Sequence, residues 1–355
     1  MKHLSLYLIL TLWLVWVVPS SGICGPDMEK MGMDAVAAAK KALSPGQIDV
    51  CLTNAGSALL DNQSCGILLD VFSGESGVSL GQGSLLTVHR AWGEPPWAAF
   101  VSQPSPKELN MVLVRITAQG PDLKGPLNVW VDKETDFTPF YEILGKEAFS
   151  LVTLANGWAD KVPPQVLFGS LFHDHLCCGV FTGYFTSRYI LEQFPLTEGQ
   201  GYIYIGTPAW CQDDLIMNML NLTPGKHGYV TMAYPWSRPW KTADAVYNNL
   251  GGIVVRKDGP AGGGTAWVLS FDWQWDKFQK FAGLSQDKPD WKNDPWLHVM
   301  YNRFFTRHLD RPSEFVSVIK SRKLETKEEV DTLVRLGANP LEILLGKDSS
   351  WPESH

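Results

Sequence analysis

Short β-branched or aromatic runs alternate along this chain with apolar stretches of helical spacing, and the order of the two recurs. The first round predicts a helix over residues 33–43, a strand over 48–53, a helix through Asp70, and a glycine-rich turn into a strand over 85–89. Two further strands, 111–116 and 127–131, close it. The second round repeats the sequence: a helix over 178–194, a strand over 202–206, a helix through Asp214, a glycine-rich turn, a strand over 229–232, then strands over 252–255 and 267–271. Each round next has a helix-like stretch, reaching Gly145 in the first and Gly283 in the second. Strand clusters mixed with helices predict an α+β layer, with helices against one sheet in each unit.

The recurrence reaches the residue level. LLDVFSGESGVSLGQGSLLTVHRAW, ending at Trp92, aligns without a gap on QDDLIMNMLNLTPGKHGYVTMAYPW, ending at Trp236. Asp70 then matches Asp214, Gly77 matches Asn221, Gly81 matches Gly225 and Trp92 matches Trp236. Farther on, Pro96-Trp97 pairs with Pro239-Trp240, VLVR at 112–115 with IVVR at 253–256, and VWVD ending at Asp132 with LSFD ending at Asp272. Self-similarity of this kind predicts a duplicated unit. The expected organisation is a signal segment over 1–22, a first unit over 23–150, a second over 151–284 and a helical C-terminal extension over 285–355. In the extension, Thr326 with Glu329 forms a capping-box signature ahead of Val330, Leu333 and Val334, and Gly337 is the stop. The two units are expected to pair as a pseudo-dimer.

Composition narrows the function classes. The chain has 355 residues, 45% hydrophobic and 19% charged, which is a globular composition. Thirty basic against 37 acidic residues give a net charge of −7, and no basic run is dense enough for a nucleic-acid face. The fifteen Trp suit buried or interfacial packing before ligand stacking. Lys2 and His3 precede an apolar run over 4–18 and the small residues Ser20 and Gly22, the pattern of a secretory signal. The run is short for a bilayer span, although an uncleaved segment would tie the protein to a membrane. A secreted or cell-surface protein follows. Ile23 argues against a lipid on Cys24. In an oxidising compartment the six cysteines (24, 51, 65, 177, 178 and 211) allow 15 pairings, among which the sequence does not choose. Asn62 and Asn221 begin weak glycosylation sequons.

The chemistry concentrates in the second unit. His173, His175 and Cys177 stand at i, i+2 and i+4, which in extended chain places all three side chains on one side. Gly179 lets the backbone turn into the following helix, whose N-terminus favours thiolate. Thiolate plus imidazole is a zinc-type ligand set, and Cys211, at the start of the next helix, is the natural fourth ligand. The expected cofactor is a divalent metal, zinc first, on His173, His175, Cys177 and Cys211. Two other readings stay open: loop histidines beside a disulfide, and a redox dithiol of Cys177 with Cys178 or with Cys211. Thr223-Pro-Gly225-Lys226-His227 lacks the spacing of a phosphate loop and reads as a helix-ending turn. The first unit has none of these groups: Ile67 stands opposite Cys211, and Gln82 opposite Lys226.

At these residues the chain resembles the FmdE family, named for formylmethanofuran dehydrogenase. Phe172-His173-Asp174-His175-Leu176-Cys177-Cys178-Gly179 is similar to that family's F-H-G-H-x-C-P-G. Cys211, Asp214, Gly225 and Lys226 are similar to its second motif, C-x-x-D-A and later G-K-G. The first unit resembles the degenerate repeat of tandem members from methanogenic archaea. Asp174, Cys178 and His227 depart from the family pattern, and no cysteine follows Cys211 to build a treble-clef finger. The resemblance implies an α+β core, a His/Cys metal site in a cleft, and paired cores. Three functions remain: an exported metal-binding protein, accessory or ligand-binding, with an unknown small-molecule or protein partner; a zinc hydrolase or lyase, with Asp214 or Lys226 as catalytic candidates; and a thiol redox or structural module.

Overall fold

The computed structural model describes residues 27–43, 46–232, 250–285, 290 and 293–346. The first unit runs α1 (Met28–Ala42), β1 (Val50–Thr53), a small hairpin of β2 (Leu59–Leu60) and β3 (Gln63–Ser64), α2 (Ile67–Ser76), β4 (Leu85–Thr87), β5 (Trp97–Ser105), β6 (Glu108–Thr117) and β7 (Gly120–Asn128). Three helices follow: α3 (Thr138–Leu144), α4 (Ala148–Ala159) and α5 (Pro164–Phe172). The second unit runs α6 (Cys178–Gln193), β8 (Gly201–Gly206), α7 (Cys211–Met219), β9 (Tyr229–Thr231), β10 (Leu250–Lys257), β11 (Gly262–Phe271) and α8 (Trp275–Ala282). The tail adds α9 (Trp296–Thr306), β12 (Val316–Thr326), α10 (Lys327–Val334) and α11 (Pro340–Leu345). Among the described residues no helix is long and apolar enough to cross a membrane.

The α+β expectation holds, and the two units share one topology. The first sheet has the order β4-β1-β5-β6-β7 and the second β9-β8-β10-β11-β12. In each, the edge pair is parallel (Cys51 beside Leu85, Tyr204 beside Tyr229) and the other neighbours are antiparallel. Asp70 and Asp214 are both the fourth residue of the helix between the parallel strands. Gly77 and Asn221 both take left-handed backbone just after those helices, with φ of 80° and 54°. Trp236 and Pro239-Trp240 lie outside the described residues, so their pairings with Trp92 and Pro96-Trp97 do too.

Beyond Trp92 the sequence alignment slips by one strand. Residues 112–115 are in β6, whereas 253–256 are in β10, which occupies the place of β5. Both strands alternate with period two, so a slip of a whole strand preserves the pattern. The strand expected over 127–131 is instead β7, Gly120–Asn128, whose prolines, glycines and partial exposure suit a sheet edge and hide the apolar signal. The tail differs as well: it supplies helices as expected, and also β12, which forms the edge of the second sheet. Only Val316 and Leu324 of that strand are buried, so it has no apolar alternation to read.

Alternation along the strands builds five layers. In the first sheet Val50, Leu52, Ala99, Val101, Met111 and Leu113 face the centre of the molecule. Their neighbours Cys51, Ala98, Phe100, Val112 and Val114 face outward, onto Ala35, Val36, Leu68 and Phe72 of α1 and α2. In the second sheet Tyr202, Tyr204, Val254, Leu269 and Phe271 join the central cluster, packed with α4, α5, α6, α7 and α9. Ile203, Ile205, Ile253, Val255 and Val268 face outward, onto Val330, Leu333, Leu341 and Leu344 of α10 and α11. The helices that belong to each unit therefore lie outside the first sheet but inside the second. The two like units meet through unlike faces, a head-to-tail relation. The loops bearing the chemistry lie in this central helical layer.

Candidate metal centre

The centre is built where two helices begin. Pro164 at the first position of α5 sets its start, and the helix ends at His173. Asp174 then takes left-handed backbone, φ 76°, and the chain re-enters an extended conformation at Cys177, the residue before α6. The segment is thus a tight turn and not the extended stretch expected from the i, i+2, i+4 spacing. Glycine in the family motif at this position matches the φ; aspartate is among the few other residues that adopt it. Hydrogen bonds hold the turn: the Ser150 hydroxyl donates to the Asp174 carbonyl, the Leu176 N–H to Thr153 Oγ1 at 3.2 Å, and Asn302 Nδ2 to the Leu176 carbonyl at 3.2 Å.

The turn brings one ligand atom each from His173, His175 and Cys177 within 4.8 Å of one another. Cys211, the first residue of α7, lies beside Cys177 and His173 and interacts electrostatically with both. Three of the four residues expected as ligands, His173, His175 and Cys177, therefore form one group, and Cys211 lies beside it. Close helix contact makes this geometry: a Cβ on Gly179 would lie 2.8 Å from Cys211 Cβ, and one on Gly183 would lie 2.4 Å from the Gln212 carbonyl. The second helix start is fixed by Asp213, whose carboxylate accepts from the Trp210 N–H at 2.9 Å and from the Tyr229 hydroxyl at 3.0 Å. Burial lifts the Asp213 carboxyl to about 7.

Each histidine is oriented by a carboxylate. His173 Nδ1 is 2.6 Å from Asp214 Oδ2, and His175 Nδ1 is 2.6 Å from Asp174 Oδ1. His173 Nε2 is buried and has no hydrogen-bond partner among the described residues. A histidine with Nδ1 tied to a carboxylate and Nε2 left over is arranged as carboxylate–histidine–metal sites are. Two oriented imidazoles and two thiols are zinc-type donors, so the residues present fit such an ion. Burial works to lower the basicity of His173, but Asp214 and Cys211 outweigh it and hold the imidazolium up to about 9. The Cys177 hydrogen bond outweighs burial at Cys211 and, with His173, holds that thiol down at about 4; the same hydrogen bond and burial push Cys177 well up.

The other candidates fall elsewhere. Asp214 is taken up with orienting His173. Lys226 lies beyond the far end of α7, exposed, and hydrogen-bonds Asn221. A nine-residue helix spans roughly 13 Å, so the structure does not bring Lys226 to the cluster. Cys178 turns to His298 of α9, with Sγ 3.5 Å from Nδ1. The five described cysteines are all free.

Three further groups join the site without any sequence signal. Arg90, from the first unit, lies 3.1 Å from Asp174 and 2.6 Å from the buried Glu147. His298 and Tyr301 come from α9, in the tail. A cleft of about 450 Å³ opens beside the sulfurs, lined by Cys177, Cys178, Cys211, Trp210, Trp273 and Trp275, together with Gly179, His298 and Tyr301. Charge pairs and clefts formed across long sequence separation leave no local spacing to find.

Residues 172–284 match the family model described as FmdE, molybdenum formylmethanofuran dehydrogenase operon. The match begins at the last residue of α5 and ends just past α8, so it contains the whole His/Cys cluster and leaves the first unit outside. No curated protein matches the chain.

Proposed function

We propose that this is a metal-binding protein of FmdE type, a tandem member in which the second unit holds zinc on His173, His175, Cys177 and Cys211 and the first unit serves as scaffold. The observation that carries it is the convergence of His173, His175 and Cys177 ligand atoms within 4.8 Å, with a buried, unpartnered His173 Nε2 among them. Four ligands would close a tetrahedron, which favours an accessory or ligand-binding role over catalysis. Zinc held there by two thiolates and two neutral imidazoles would form a closed site with no net charge beside the cleft. The hydrolase or lyase reading needs a free proton-transfer group at the cluster, and of its two candidates Asp214 is hydrogen-bonded to His173 and Lys226 to Asn221. Export is part of the proposal and rests on the apolar run over 4–18.

A thiol redox role is the second reading, favoured by the Cys177–Cys211 contact. Elemental analysis of the purified full chain separates the two. The metal reading expects one zinc per chain, lost in Cys177→Ser and Cys211→Ser and retained in Cys178→Ser, whose sulfur faces His298. A metal-free protein whose Cys177 and Cys211 oxidise reversibly to a disulfide would replace this reading with the redox one.

A further inference from the structure

We propose that the cleft beside the cysteines binds an uncharged, planar aromatic molecule, stacked among Trp210, Trp273 and Trp275, with one edge turned to Cys177 and Cys211. The proposal deepens the metal-site reading, on which it rests for what the inner edge of the ligand meets.

Ring geometry comes first. Trp210 and Trp273 have centroids 5.7 Å apart, Trp273 and Tyr301 meet edge to face at 5.7 Å, and Trp275 and Tyr301 stack at 6.2 Å. The central core aromatics Phe185, Phe271 and Phe305 are fully buried, whereas Trp210, Trp273 and Trp275 are half-buried and border open volume. About 450 Å³ is at the small end of the roughly 300–1,000 Å³ typical of ligand sites.

The rings are also held in place. Trp273 and Trp275 flank Gln274, which takes left-handed backbone at φ 51°. Gln274 is pinned by its N–H to Asp272 at 2.9 Å and by its side chain to the Glu314 carbonyl at 2.7 Å. The Tyr301 hydroxyl donates to the Trp273 carbonyl at 2.5 Å. Rings fixed before a ligand arrives lose little freedom on binding.

The charge balance selects the ligand. Among the described residues lining the cleft there is no Asp, Glu, Lys or Arg. Burial pushes the His298 imidazolium down to about 4, so that wall is neutral near pH 7. An ionic group in the cleft would lose its water without gaining a counter-charge. A flat ring presents its face or edge to the three half-buried indoles, contacts that a saturated molecule of equal size cannot make.

The probe is 2-naphthol, titrated calorimetrically into the full chain with and without zinc, zinc content being measured in parallel. Saturable one-to-one binding is expected, with decahydro-2-naphthol and 2-naphthalenesulfonate each weaker by ~10-fold, the gain expected from two or three aromatic contacts. Trp273→Leu should weaken 2-naphthol by a similar factor while keeping its zinc. Zinc-loaded protein that fails to saturate, or that binds the three probes equally, overturns the proposal. Failure of the metal reading looks different: no stoichiometric zinc, with 2-naphthol still bound. If Trp273→Leu does not fold, the comparison of probes on the unaltered chain decides alone.

Discussion

Arg90 Nη1, in the first unit, lies 3.1 Å from Asp174 Oδ2, the carboxylate whose other oxygen holds His175 in the second. The unit without metal-binding residues thus reaches the groups around the cluster. Arg90 is 10% exposed and also pairs with Glu147 at 2.6 Å, itself 5% exposed. Losing a group bonded to a metal ligand typically costs ~10–100-fold in affinity; Arg90 acts one step farther out, on Asp174, so Arg90→Met should weaken zinc binding by less, about 10-fold or below. It would also leave Glu147 buried without its main partner, at a cost of about 3 kcal/mol or more in stability. Glu147→Gln added to Arg90→Met should restore the stability and leave zinc binding weak. A double variant with the affinity of the unaltered chain would show that Arg90 acts only through folding.

The close crossing of α6 and α7 gives a second prediction. A Cβ at position 183 would meet the Gln212 carbonyl at 2.4 Å, backbone that cannot swing aside. Gly183→Ala should therefore destabilise the fold by about 1–3 kcal/mol, as overpacking does. At position 179 the obstruction is Cys211 Cβ, at 2.8 Å. Gly179→Ala should displace that sulfur and weaken zinc binding although no ligand is removed. Thermal unfolding and competition with a chelator measure the two effects, and Gly179→Ala with unchanged affinity would contradict the geometry.

Periodicity and spacing carry much of this architecture and stop at definite points. The duplicated order of helices and strands is legible because both sheets bury alternate residues on two apolar layers, as Cys51 and Leu52 do. The His173-to-Cys177 turn is legible because its residue types are rare at that spacing. Arg90 and His298 are not, since each meets the cluster only through the packing of distant elements. Strand β12 is not either, because its exposed edge asks for pairing and not for apolar residues. The strand slip after Trp92 shows the weakness of period-two patterns: VLVR and IVVR look alike because β6 and β10 bury similar faces, not because they correspond.

The His173–Asp214 pair makes metal-free protein sensitive to alkali. Burial opposes protonation of His173, yet Asp214 and Cys211 raise it from 6.5 to about 9. A raised value stabilises the fold fully below pH 6.5, and that contribution is lost as pH rises through about 9. The unfolding midpoint of chelator-treated protein should fall over this window, and Asp214→Asn should flatten the fall. An unaltered slope in Asp214→Asn would mean that another group carries it.

Zinc affinity should have the opposite trend with pH. Ligands bind deprotonated. Cys211, held at about 4, is already thiolate at neutral pH, whereas Cys177 is pushed well up and His173 sits at about 9. Binding at pH 7 must then release the Cys177 and His173 protons. Each released proton changes the apparent affinity about tenfold per pH unit, so affinity should rise by close to two decades per unit between pH 6 and 8. Asp214→Asn removes the partner that keeps His173 protonated, and should bring the slope down toward one decade while lowering the affinity itself. Chelator competition across that range reads both quantities. Affinity independent of pH would mean that Cys177 and His173 do not bind the metal, and the cluster would then have to be reassigned.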